Sequence, residues 1–483
     1  MKKQIGDMPT NEFREYGHRI VDWIADYIEH IENLNVLPNV QPNEIKNKFS
    51  DKPPLKSNGL RDLFEELDNK IIPGLTHWQH PNFMAYFNST ASGPGILAEF
   101  LAAGFNTNGM LWQSSPASNE LEDVVINWFK EALNIPKDFW GIIYDTASIS
   151  TTHALAAARE NLLSYKIRQK GFAAAKVPPL TIYTSEYAHS SVEKAAVLIG
   201  IGLEGVRKIK TTSKLEMDVN NLQTQIENDL QHGKTPIAIV ATIGTTSVAS
   251  VDPVDQIGEI AHKYNLWLHV DAAYAGSAAI LPELADDFKG IEKADSIVIN
   301  PHKWLYHPID ISLFFTKKND ILKRAFSVVP EYLKTDKDDI IENKMDYGIQ
   351  LGRRFRALKT WMIFNYFGIE GLQNRLRDNI NCANYFVELI NRNDDFEIMA
   401  PVKFSTICFR ATSNVLNDKF KDLNTLNSSL LKEINNSRKL FLSQTKIDSD
   451  YVIRLVVSGI RTEKKHIQLA YNLIKTSLEK ILS

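Results

Sequence analysis

The stretch SIVINPHKWLYHP, residues 296 to 308, runs an apolar, strand-like segment straight into Asn300, His302 and Lys303. An amine at the end of such a run is either a plain surface charge or a group held there for chemistry or phosphate contact. Four other short apolar runs end in comparable fashion. GIIYD (141 to 145) is followed by Thr146, Ala147, Ser148, Ile149, Ser150, Thr151 and Thr152, a hydroxyl-rich helix start. Free amides and hydroxyls at a helix N-terminus suit a phosphate, and a single cap needs only one hydroxyl. LTIYTS (180 to 185) leads to His189 and then Ser190-Ser191-Val192-Glu193, which has the form of a capping box that would fix the imidazole at a helix entry. IAIVATI (237 to 243) leads to Gly244, Thr245, Thr246 and Ser247, and LWLHVD (266 to 271) closes on Asp271. A carboxylate ending a fully apolar strand is expensive to bury without a cation or several donors.

These residues can share a site only if the elements bearing them are neighbours. Runs of this length, separated by amphipathic helical stretches between about 135 and 315, predict a parallel sheet covered on both faces, whose ligands bind beyond the carboxyl ends of the strands. Upstream, residues 11 to 31 carry Phe13, Tyr16, Ile20, Trp23, Ile24, Tyr27, Ile28 and Ile31 at helical spacing, followed by a Pro- and Asn-rich connection. Residues 1–80 therefore read as a helical arm with a wide apolar face, suited to wrapping a partner subunit. Residues 81–370 read as the large α/β domain. Residues 371–483 read as a smaller α/β domain, with FEIMAP, STICFRA and YVIRLVVSG as strands.

The chain has 483 residues, 44% hydrophobic and 23% charged, which fits a globular protein of two or three domains. A formal charge of -3 and a pI near 6.5 provide no basic field, so a small molecule is the expected partner and nucleic acid is not. Cys382 and Cys408 are too few for a disulfide framework or a Cys-rich zinc site. His77 and His80 have a metal-like spacing but no clustered acid or cysteine, and no metal is expected. No stretch is long and apolar enough for a membrane span, and the N-terminus lacks an apolar signal core, so the expected compartment is the cytoplasm.

A phosphate seat, an imidazole, hydroxyls, a buried acid and a lysine at five strand ends match the needs of pyridoxal 5'-phosphate. It takes a Schiff-base amine, a carboxylate for its pyridinium nitrogen and donors for its phosphate. A phosphate- or nucleotide-binding module without chemistry would use some of these residues, but not all. VDAAYAGSA (270 to 278), NPHKWL (300 to 305) and AHSSVEKA (188 to 195) resemble the signatures of the group II pyridoxal-phosphate-dependent amino-acid decarboxylases, closest to the aromatic-L-amino-acid type. HPNFMAYF (80 to 87), SSPASNELE (114 to 122), VPEYLK (329 to 334) and LGRRFRALK (351 to 359) match as well, and in the same order.

The resemblance implies an α/β fold of fold type I, aspartate-aminotransferase-like, in a homodimer with composite active sites. It assigns Lys303 to the cofactor's Schiff base, Asp271 to the pyridinium, and Ala147, Ser148, Asn300 and His302 to the phosphate side. Thr246 becomes a cofactor contact, and His189 a ring-stacking residue that also senses the substrate carboxylate. Tyr332 is implied to protonate Cα after carbon dioxide leaves, in a charged loop over residues 324 to 349 that closes on the substrate. Relatives with phenylalanine at that place make aldehydes, so the tyrosine favours an amine. Trp78, Tyr86 and Phe87 match aromatic residues near the substrate, and Gly352 a small residue associated with bulky rings, which favours tyrosine, DOPA, tryptophan or phenylalanine. Asn88, Ser89, Asn108 and Met110 depart from the pattern, the last two on the segment that the neighbouring subunit contributes, and predict a more polar wall that could admit histidine or another substrate.

Overall fold

The computed structural model describes residues 6–57, 59–328 and 341–483. Its main sheet has seven strands: β1 (Trp140–Tyr144), β2 (Leu180–Ser185), β3 (Val206–Ile209), β4 (Thr235–Thr242), β5 (Trp267–Asp271), β6 (Ser296–Ile299) and β7 (Ser312–Thr316). Their order is β1-β7-β6-β5-β4-β2-β3. The β2, β5 and β6 strands are buried along their whole length, as a sheet with helices on both faces requires.

Two strands of this sheet were absent from the sequence expectation. β3 is short and carries Arg207 and Lys208, the charge pattern of an edge strand. β7 runs antiparallel to both β1 and β6, so the sheet is mixed and not purely parallel. Its direction follows from the connection: residues 300 to 311 hold only one helical turn, Pro301–Trp304, in place of the long crossover a parallel return needs.

The smaller sheet is antiparallel, in the order β10-β11-β9-β8, with β8 (Phe396–Ile398), β9 (Thr406–Ala411), β10 (Ser443–Ile447) and β11 (Asp450–Val456). Phe386, Phe409, Leu430, Ile453 and Ile467 belong to its separate apolar core. The helix Ala357–Asn391 is broken at Gly368, where φ is 62°. Residues 82–84 lie along this sheet: Met84 N–H donates to the Phe441 carbonyl and Val456 N–H to that of Met84, at 3.0 and 2.9 Å.

The N-terminal helix spans Thr10–Glu29 and buries none of its residues. Phe13, Ile20 and Ile24 face Leu97 and Phe100 of the helix Gly93–Phe105 across an open apolar groove. Among the described residues no helix is long and apolar enough to cross a membrane, and no group of His, Cys, Asp and Glu could hold a metal. His77 instead meets the Tyr27 hydroxyl at 2.7 Å.

Candidate active site

β6 ends at Ile299, and Asn300 remains extended before Pro301 opens a single helical turn. Proline at that place fixes φ for the turn and lacks only an N–H that has no helical acceptor. The Lys303 N–H donates to the Asn300 carbonyl at 3.0 Å. Its neighbour Trp304 is fully buried, donates from Nε1 to Asn379 Oδ1 at 3.0 Å and stacks on Tyr274 with centroids 5.0 Å apart. The lysine is thus mounted beside a rigid indole anchor.

A cavity of 210 Å3 opens at these strand ends, lined by Ala147, Ser148, His189, Thr246, Asp271, Asn300, His302 and Lys303 among others. Every cofactor residue read from the sequence is therefore on one surface. Asp271 is buried at the end of β5 and accepts from the Ala273 N–H at 3.0 Å. Burial holds the Lys303 amine below its ordinary range, Asp271 opposes this, and Arg454 reinforces it. His302 accepts from the Ile311 N–H through Nδ1 at 3.0 Å, and burial pushes it down to about 4, so it is neutral.

The capping box expected at Ser190 does not form. Ser190 is helical in backbone and makes no side-chain cap, and Glu193 pairs with Lys208 at 2.7 Å. The imidazole takes over that job: His189 Nδ1 accepts from the Ser191 N–H at 3.1 Å. With Nδ1 an acceptor, the neutral ring carries its proton on Nε2. Burial lowers His189, and Asp271 pulls the other way.

Of the hydroxyls after β1, Ser150 meets Ser312 at 2.9 Å, Thr151 faces His269 and Thr152 donates to the Ser148 carbonyl. The seat itself is left to Thr146, Ala147 and Ser148 at the start of the helix Ala147–Glu160, whose N-cap side chain makes no capping hydrogen bond and turns to Asp145 instead. Two buried oxygens at the cavity, Asn300 Oδ1 and Thr242 Oγ1, have no partner. Unsatisfied polar atoms, an uncapped helix start, a buried acid and a lysine of lowered basicity together fit pyridoxal phosphate. Thr242, Gly244 and Tyr274 also line the cavity and were missed, because Thr242 lies inside its apolar run and Gly244 serves through its left-handed backbone, φ 83°.

A contiguous cavity of 350 Å3 shares Phe87, His189, Thr246 and Lys303 and adds Tyr86. Trp78 stacks on Phe83 and Tyr86 at 4.3 and 6.0 Å. The polar wall expected at Asn88 and Ser89 is not there. Asn88 Nδ2 donates to the Phe83 carbonyl at 3.1 Å, the Ser89 hydroxyl donates to the His302 carbonyl, and neither residue lines these cavities. Asn108, Met110 and Gly352 lie elsewhere; Asn108 Oδ1 accepts from the N–H groups of Met110 and Arg353 at 3.1 and 2.9 Å.

Tyr332 falls outside the described residues, as do positions 329 to 340 of the loop expected at 324 to 349. The ends of that segment are not loop. The helix Asn319–Phe326 takes in its start, and Lys344–Tyr347 form a buried helical turn near its end.

The fold and the site together define a pyridoxal-phosphate enzyme of fold type I. The family model described as the pyridoxal-dependent decarboxylase conserved domain matches residues 42–412, and the chain belongs to that family. It is 36% identical to a tyrosine decarboxylase of Papaver somniferum, over 99% of this chain and 100% of the relative. It is also 36% identical to a phenylacetaldehyde synthase of a Rosa hybrid cultivar, over 99% and 96%. The crystal structure of Oryza sativa TDC with PLP and tryptamine superposes with a TM-score of 0.95 at 32% identity, covering 100% of both chains.

Proposed function

We propose that the protein decarboxylates an aromatic L-amino acid to its amine and carbon dioxide. The observation that carries this reading is the meeting of Asp271, Lys303, His189 and an uncapped helix start in one cavity that continues into an aromatic one. Bound pyridoxal phosphate supplies an electron sink for the pair released when the carboxylate leaves.

The chain's residues have distinct parts. Lys303, held neutral more readily by burial, offers its amine for condensation. Asp271 would pair with the ring nitrogen and keep a proton on it by charge pairing. The amides at Ala147 and Ser148, with Thr246, Asn300 and His302, hold the phosphate side. His189 would stack on the ring and offer its Nε2 proton to the substrate carboxylate. Trp78, Tyr86 and Phe87 bound the aromatic side chain, and Tyr332 delivers a proton to Cα. The tyrosine at 332 supports an amine product over the aldehyde named for the Rosa relative.

The enzyme works as a homodimer in which Asn108, Met110 and Gly352 complete the neighbour's substrate wall. The exposed apolar faces of Thr10–Glu29 and Gly93–Phe105 support this. Two free, buried cysteines support the cytoplasm as its compartment. Incubating the cofactor-loaded protein with all L-amino acids, followed by mass spectrometry, is expected to yield the amine of tyrosine, DOPA, tryptophan or phenylalanine. Absence of any amine would refute the decarboxylase reading, and stoichiometric hydrogen peroxide would favour aldehyde formation.

A further inference from the structure

Phe87 is contacted on several sides by groups that the roles above leave unconnected. Tyr274 stacks on it with centroids 3.7 Å apart, Lys303 Nζ lies 5.3 Å from its centroid, and the Arg454 guanidinium carbon lies 4.5 Å from it. Arg454 comes from β11 and is 4% exposed. Its Nη1 donates to the Tyr86 carbonyl at 3.0 Å, while Nε and Nη2 have no partner among the described residues. A buried guanidinium with bare N–H groups is costly, and such a group calls for a use that offsets the cost.

The neighbouring strand suggests that use. Ser443 of β10 is directly opposite Arg454 in the ladder, and its hydroxyl accepts from the Tyr86 N–H at 3.5 Å. One cross-strand pair therefore grips both backbone groups of Tyr86. That residue has φ 55°, a left-handed conformation that a bulky side chain keeps only where its surroundings impose it. Tyr86, Phe87, Ser443, Arg454, His189 and Lys303 all line the 350 Å3 cavity.

We propose that Arg454 is a positioning residue for the reaction: with Ser443 it fixes the Tyr86–Phe87 wall, and its permanent charge, on the same ring as Lys303, biases that amine toward the neutral form. The small sheet thereby reaches into the site of the large one. The sign agrees with the downward push that Arg454 exerts on Lys303. The inference rests on the reading that Lys303 carries the cofactor.

The test is a pH titration of the visible absorption band of the cofactor-loaded protein for wild type, R454M, R454K and S443A, with KM measured for the best aromatic amino acid. R454M is expected to move the midpoint upward by on the order of one pH unit, because a nearby positive charge is removed. R454K keeps the charge and is expected to stay near the wild-type midpoint. S443A is expected to raise KM several-fold without moving the midpoint. An unmoved midpoint in R454M, an equal shift in R454K, or an unchanged KM in S443A would each overturn the proposal. If R454M fails to fold, R454Q makes the same charge test with the same overturning result. A wild-type protein without any visible band would instead overturn the cofactor reading, and this proposal with it.

Discussion

Asp271 closes β5 and Lys303 sits on the helical turn after β6, and the carboxylate acts on the amine across that gap. Burial lowers the basicity of the lysine, and Asp271 is the group that opposes this. For D271N we expect kcat/KM to fall roughly 10²- to 10³-fold, with weakened cofactor retention, since the ring nitrogen loses its counter-charge. Steady-state kinetics and cofactor release on gel filtration check this, and a variant within a factor of two of wild type would remove Asp271 from the reaction. His189 has a second dependence: its Nδ1 is committed to the Ser191 N–H, so the tautomer is set by a helix start.

At the scale of elements, the strand ends gather the cofactor groups, whereas the helices expose what the single chain does not bury. The helix Thr10–Glu29 has no buried residue, and Phe100 of Gly93–Phe105 is 51% exposed. Together they line a groove of 600 Å3, larger than either cavity at the site. Exposed contiguous apolar surface of this kind marks an interaction face. Light scattering is expected to give twice the 54.8 kDa chain mass for wild type. F100D, which puts a charge into that face, is expected to shift the mass toward one chain and lower activity in parallel; an unshifted monomer in wild type would contradict the dimer.

For the whole molecule, buried imidazoles set the acid limit. Burial pushes His80, His269 and His302 down to about 4, and His153 and His307 to about 3. The folded chain holds them neutral, while the unfolded chain takes up their protons near the ordinary value of 6.5. Their contribution to stability is therefore complete above that value and is lost as pH falls toward 4 and 3. Asp252 acts in the opposite sense: burial raises it to about 7, so its contribution is fullest at low pH and fades as pH rises through that value. Five imidazoles outweigh one carboxyl, and Tm is expected to fall as pH is lowered from about 7 to about 5. A Tm that holds or rises over that interval would show that these histidines are not buried neutral.

The five apolar runs and the polar residues after them could be read from the chain because strand burial and ligand contact leave local marks: continuous apolar composition, then hydroxyls, acid or amine. That was enough for five strands of the large sheet and for a set of residues that the fold brings to one cavity. It was not enough for β7, whose direction depends on how little chain separates it from β6, or for β3, whose charges disguise an edge strand. The wall of the substrate cavity was still less legible. Asn88 and Ser89 look like polar wall residues in sequence, but the Asn88 Nδ2 and the Ser89 hydroxyl donate to the Phe83 and His302 carbonyls. Arg454, more than 360 positions from Tyr86, holds its carbonyl. The chain by itself determined the chemistry, since reactive groups and their strands are adjacent in sequence. Only the tertiary structure decided which side chains face the cavity, because a hydrogen-bonding group is free for a ligand only when no distant backbone has already taken it.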